Sequence, residues 1–138
     1  MFSDQSFVKL RHSIYSLNSH LVLVTKYRRP AINSDILARL EQISSRRATN
    51  WGGSLREFNG EADHIHLLLS LPPTLDLSKF VNCLKTTSSR IIRREFPEHL
   101  SRFYWKPVFW SRSCCIVSCG GAPLSVVKQY VQNQDNPE

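Results

Sequence analysis

A long hydrophobic run is missing from this sequence. Crossing a bilayer as a helix takes roughly 20 apolar residues, and the longest stretches here, Leu21-Val22-Leu23-Val24 and Leu67-Leu68-Leu69, are strand-sized. A membrane-spanning helix is excluded. The opening residues Met1 to Ser6 show neither the basic start, the apolar core nor the small-residue cleavage site of a secretory leader, so the expectation is a cytoplasmic protein. Patterned cysteine is missing as well: of four cysteines, Cys114 and Cys115 are adjacent, and Cys83 and Cys119 show no C-x-x-C or metal-knuckle spacing. Neither a disulfide framework nor a thiolate zinc site is indicated, and the thiols read as buried groups in a reducing compartment. Negative charge is also in short supply. With 11 Asp plus Glu against 18 Lys plus Arg, the net charge is +7, a balance suited to a polyanionic partner such as nucleic acid or an anionic membrane surface. No repeat, low-complexity tract or linker interrupts the 138 residues, which are the right length for one domain spanning 1–138.

What is present is an alternation of strand-like and helix-like segments. Residues 14–27, rich in β-branched and aromatic residues, read as a long first strand ending at Pro30. Asn33 or Ser34 offers an N-cap, and Ile36, Leu37, Leu40 and Ile43 recur at helical spacing, predicting a helix over about 34–49. Ser54 to Asn59 reads as a short strand, Gly60 to Asp63 as a turn, and His64 to Leu71 as an apolar strand closed by Pro72-Pro73. From about Asp76, Leu77, Phe80, Val81, Leu84, Ile91 and Ile92 form one stripe of a second helix that has a basic outer edge and stops before Pro97. Residues 108–119 read as a last strand, Gly120 to Pro123 as a turn, and Leu124 to Gln134 as a final helix. The order β-α-β-β-α-β-α predicts an α+β, ferredoxin-like domain: a single antiparallel sheet with helices on one face, plus the C-terminal helix.

Two segments carry candidate chemistry. Side chains alternate across a strand, so His64 and His66 share one face while Ile65, Leu67 and Leu69 point into the core. One reading makes them a surface histidine and a locally hydrogen-bonded one. The other makes them a chelating pair for a divalent metal, which needs further ligands and an open position; Asp63 is the nearest oxygen donor, as a ligand or a supporting group. On the final helix Tyr130 and Gln134 are four residues apart and project one turn apart from one face. Val126, Val127 and Val131 already supply apolar packing there, leaving Tyr130 open to a polar role. A tyrosine hydroxyl can attack a phosphodiester when a metal neutralises its non-bridging oxygens.

Four ordered motifs then carry a resemblance. The segment Lys26-Tyr27-Arg28-Arg29-Pro30, the strand Asp63-His64-Ile65-His66-Leu67-Leu68, the helix Leu84-Lys85-Thr86-Thr87-Ser88-Ser89-Arg90 and the terminal Tyr130-Val131-Gln132-Asn133-Gln134 together resemble the small single-tyrosine transposases of the HUH endonuclease superfamily. Those proteins are encoded by short insertion sequences that move as single-stranded DNA. The resemblance spans nearly everything from His20 to Gln134. It implies that His64, His66 and Gln134 hold Mg²⁺ or Mn²⁺ and that Tyr130 is the nucleophile. It further implies cleavage and rejoining of single-stranded DNA at element ends beside hairpins, through a 5′-phosphotyrosine, by a homodimer that shares its active sites in trans.

The basic residues agree with that picture. Lys26, Arg28, Arg29, Arg56, Lys85, Arg90 and Arg93, with Arg94 beside them, can follow a phosphate backbone, and Tyr27 or Phe58 is available to stack on an unpaired base. Trp105, Phe109 and Trp110 flank the last strand and are assigned to core or dimer packing. Two other classes compete. A histidine-triad phosphoesterase would want a third alternating histidine, but position 68 is Leu. A ferredoxin-like nucleic-acid-binding module without catalysis would carry an aromatic-rich central strand, and here that strand reads HIHLLLSL.

Overall fold

The computed structural model describes residues 17–118. Strand β1 (Leu17–Thr25) leads through a 3₁₀ turn, Lys26–Arg28, to helix α1 (Ser34–Asn50), then to strands β2 (Ser54–Glu61) and β3 (His64–Leu71). Helix α2 (Leu77–Glu95), a single helical turn α3 (Pro97–Leu100) and strand β4 (Trp110–Ser118) follow. The four strands form one sheet in the order β2-β3-β1-β4, every neighbouring pair antiparallel. This is the expected α+β, ferredoxin-like sheet.

The caps were readable from sequence. Asn33 Oδ1 accepts the Ile36 backbone N–H at 2.8 Å and starts α1, and Asp76 Oδ1 accepts that of Lys79 at 3.1 Å and starts α2. The stripe on α2 buries Phe80, Val81, Leu84 and Ile92, while Leu77 and Ile91 pack at its margin. Both helices share one core with Leu21 and Leu23 of β1 and Ile65, Leu67, Leu69 and Leu71 of β3. At Gly60 of β2 an added Cβ would lie 2.7 Å from Leu37 Cδ1 of α1 and 2.9 Å from Ile65 Cγ2, so the missing side chain lets helix and sheet close together.

The structure corrects several boundaries. The first strand ends at Thr25, because Tyr27 (φ 59°) and Arg28 (φ 53°) adopt left-handed backbone and turn the chain out of the sheet. Strand β2 runs on to Glu61, leaving only Ala62 and Asp63 as the hairpin turn. That turn is fastened from outside: the Thr25 N–H donates to Asp63 O at 3.0 Å, and the Ile32 N–H to Ala62 O at 2.9 Å. Pro97 does more than end α2. It occupies the first turn of α3, where its missing N–H costs nothing. The last strand begins at Trp110, two residues later than 108. Cys83 is half-buried rather than buried, with Sγ 3.9 Å from Thr87 Oγ1. The predicted helix 124–134 lies outside the described residues. No described helix is long and apolar enough to cross a membrane.

Candidate metal centre and nucleic-acid interface

The hairpin β2–β3 and the end of β1 build the centre. Alternation on β3 places Ile65 and Leu67 toward the helices and His64 and His66 on the opposite face, as expected. Both imidazoles are buried, at 3% and 1% exposure, so neither is the surface histidine of the alternative reading. Their ring centroids lie 4.8 Å apart with planes at 82°. On β1, Val24 stands opposite His64 and Val22 opposite His66, giving the pair an apolar flank. The ladder between β1 and β4 shifts register between Leu23 and Thr25, right beside this pair; such irregularities re-aim side chains at functional sites.

His64 is oriented by its neighbour in sequence. The Asp63 carboxylate accepts from His64 Nδ1 at 2.7 Å, which fixes the proton there and leaves Nε2 with its lone pair. His64 Nε2 is buried and has no hydrogen-bond partner among the described residues. A buried imidazole nitrogen without a partner is costly unless something meets it, and a neutral Nε2 backed by a carboxylate is a good donor for a divalent ion. The other Asp63 oxygen, Oδ2, lies 3.5 Å from Arg28 Nε. Asp63 therefore joins the histidine pair to the basic turn after β1. Among the described residues, no three His, Cys, Asp or Glu side chains converge closely enough to hold a metal alone. The two imidazoles need donors from elsewhere, and both Gln134 and Tyr130 lie outside the described residues.

The basic turn is rigidly held. Lys26 N–H donates to Phe109 O at 2.8 Å, Tyr104 Oη–H to Lys26 O at 2.7 Å, Thr25 Oγ1–H to Arg29 O at 2.7 Å, and the Arg29 guanidinium to the Phe103 carbonyl. Arg29 lies over Tyr27, Tyr104 and Trp105, with Lys26 and Lys106 also over the Tyr27 ring. The Lys106 hydrogen bond, with the charges of Lys106, Lys26 and Arg29, pulls the Tyr27 phenol below its usual value. Burial pushes that of Tyr104 up.

The remaining candidates separate into two groups. Arg56 on β2 and Arg90 and Arg94 on α2 are exposed, and Arg93 Nε donates to Ser89 Oγ at 3.1 Å one turn back. Lys85 points instead to the start of β4, where Nζ donates to Ser111 O at 2.6 Å and Arg112 O at 3.2 Å. Ser88, in the same motif, accepts from Trp110 Nε1 at 2.9 Å and donates to Leu84 O at 2.6 Å. This helix motif ties α2 to β4.

Two residues escaped the sequence reading. His20 lies on β1, where register places it opposite Leu68 on the same sheet face as His66, fully buried, both ring nitrogens lacking a partner among the described residues. Alternation along β1 could have flagged its face, but only the pairing register sets it near His66. Trp105 is assigned by sequence, with Phe109 and Trp110, to core or dimer packing, and the structure rules out the core half for Trp105. Those two are buried, but Trp105 is 84% exposed, because Trp105 to Pro107 form an exposed loop ahead of β4.

Comparison with known proteins places this geometry. The family model described as "Transposase IS200 like" matches residues 13–134. The chain is 28% identical over 130 residues to the ISDra2 transposase TnpA of Deinococcus radiodurans, covering 94% of this chain and 92% of that protein. It is 31% identical over 127 residues to the transposase for insertion sequence element IS200 of Salmonella typhimurium, covering 91% and 81%. Among solved structures, a Deinococcus radiodurans R1 protein described as a transposase superposes with TM-score 0.74 at 32% identity, over 87% of this chain and 92% of that one. A REP-associated tyrosine transposase bound to a REP hairpin superposes with TM-score 0.57 at 11% identity, over 86% and 62%, and shares the fold. With its sheet, its buried histidine pair and a family match over nearly its whole length, the chain belongs to the IS200-like family of single-tyrosine transposases.

Proposed function

We propose that this transposase cleaves and rejoins single-stranded DNA at insertion-sequence ends with a divalent ion, Mg²⁺ or Mn²⁺, and a 5′-phosphotyrosine intermediate. The observation that carries the reading is the buried pair His64 and His66, with His64 Nδ1 held by Asp63 and Nε2 left for a ligand. His64, His66 and the amide oxygen of Gln134 would hold the ion. Two imidazoles and an amide, with no thiolate and with phosphate oxygens completing the shell, suit a hard cation better than zinc. When bound, the ion neutralises the non-bridging oxygens of the scissile phosphate and orients it.

Tyr130 Oη attacks phosphorus in line, forming the Tyr–O–P bond as the P–O3′ bond breaks. The phenolic proton is given up, the departing 3′-oxygen is protonated, and the 5′-phosphate stays on the protein. Attack by a 3′-hydroxyl reverses the step and rejoins a strand. Each chain carries one Tyr130, and excising an element takes two cleavages, so the working unit is a homodimer, and the family resemblance favours Tyr130 of each chain serving its partner's histidines. The sequence Gly120-Gly121-Ala122-Pro123, which precedes the segment bearing Tyr130, is suited by composition to such an exchange. The same surface charge that favours DNA, +7 over the chain, makes binding electrostatic.

The test is incubation with labelled single-stranded DNA carrying candidate element ends and their hairpins. A slow-migrating covalent band on a denaturing gel, present with Mg²⁺ or Mn²⁺ and absent with EDTA, His64→Ala or His66→Ala, supports the reading. Equal cleavage with EDTA and with Mg²⁺ contradicts it.

A further inference from the structure

Among the described residues one large apolar side chain stands in solvent, Trp105 at 84% exposure, and its neighbours are charged. The Arg29 guanidinium carbon lies 5.5 Å from its ring centre and 5.1 Å from that of Tyr27, while Lys26 Nζ and Lys106 Nζ lie 5.3 and 5.4 Å from the Tyr27 ring. Two accessible rings and three cations thus occupy one small patch. It is not a by-product of packing. Consecutive non-glycine residues in the left-handed region are costly, and Tyr27 and Arg28 hold it because the turn is fastened at both ends by Phe109, Phe103, Tyr104 and Thr25.

A partner that fits must present a flat π surface and negative charge together. An unpaired nucleobase with its flanking phosphates does both, since stacking on an aromatic ring is tolerant of base identity and cations beside the ring meet the backbone. Position agrees, because Arg28 of the same turn reaches Asp63, and Asp63 holds His64. We propose that Trp105 and Tyr27, flanked by Lys26, Arg29 and Lys106, form a stacking subsite for one unpaired base of the single strand. The inference rests on the reading that this chain handles single-stranded DNA, and it adds a site at which the strand is gripped next to the histidine pair.

The probe is a fluorescent DNA hairpin carrying a short single-stranded thymine tail, with tail-less and singly abasic versions, measured by anisotropy at fixed salt. Trp105→Ala, an exposed position, leaves the fold intact and weakens binding of the tailed hairpin by about tenfold, the scale of one stacked base. Trp105→Phe restores most of it. One abasic position in the tail weakens the wild type by the same factor and Trp105→Ala no further, while the tail-less hairpin does not distinguish the two proteins. Equal affinities of wild type and Trp105→Ala for the tailed hairpin overturn the subsite, and if the wild type still cleaves that hairpin the proposed function survives alone. A loss equal on every probe, accompanied by a changed association state in sedimentation, overturns it in favour of a contact between chains. Absence of any wild-type binding to the tailed hairpin overturns both readings.

Discussion

The Asp63 carboxylate lies 2.7 Å from His64 Nδ1 through one oxygen and 3.5 Å from Arg28 Nε through the other. One side chain thereby sets the proton position of a candidate ligand and anchors the basic turn. Asp63→Asn retains an acceptor beside His64 but removes the negative charge that backs the imidazole. It should weaken Mn²⁺ affinity by roughly 10–100-fold, the usual effect of losing such a supporting carboxylate. His64→Ala and His66→Ala should abolish measurable Mn²⁺ binding, and Gln134→Ala should weaken it less, because water replaces an amide oxygen readily. Titration followed by electron paramagnetic resonance checks the order, and unchanged affinity in Asp63→Asn would count against the arrangement.

Trp110 Nε1 donates to Ser88 Oγ inside the α2–β4 contact. Ser88→Ala leaves that buried N–H without a partner and should cost about 1–3 kcal/mol in urea unfolding. A cost below about 0.5 kcal/mol would show that the bridge is not what holds helix to strand.

His20 is fully buried with both ring nitrogens unpartnered among the described residues. An imidazole in that condition opposes folding, so His20→Leu, of similar volume, should leave the thermal midpoint unchanged or raise it. A clear fall in the midpoint would mean that His20 is satisfied in solution.

These cases mark where sequence reading stops. Strand alternation paired His64 with His66, and helical spacing on α1 and α2 gave their core stripes, because both signals are local and periodic. The ferredoxin-like sheet followed from element order. Register is not local: the nearness of His20 to His66 depends on how β1 pairs with β3, which no pattern in either strand states. Lys85 reads as a phosphate ligand because it is a cation on an amphipathic helix, and no local pattern states that its ammonium also meets the carbonyls of Ser111 and Arg112, far along the chain. Trp105 reads as core or dimer packing by residue type, and its placement in the exposed loop before β4 removes the core alternative. The left-handed turn at Tyr27 and Arg28 was hidden because neither residue type favours that backbone.

The trans arrangement is tested by complementation. Tyr130→Phe chains and His64→Ala chains should each be inactive alone, and subunit exchange between them should restore single-end cleavage, since one composite site in each mixed dimer would have His64 from one chain and Tyr130 from the other. Continued inactivity after exchange has been demonstrated by sedimentation of differently labelled chains would place each Tyr130 on its own histidines.

The central claim, that Tyr130 is the nucleophile of a metal-dependent strand transfer, is tested most directly by locating the bond. The chain has four tyrosines, Tyr15, Tyr27, Tyr104 and Tyr130. Protein reacted with single-stranded element-end DNA and Mn²⁺, digested with nuclease and protease, should show by tandem mass spectrometry a nucleotide phosphate on the peptide containing Tyr130, absent when EDTA replaces the metal. The same mass on Tyr15, Tyr27 or Tyr104, or cleaved DNA with no modified tyrosine, would contradict the account.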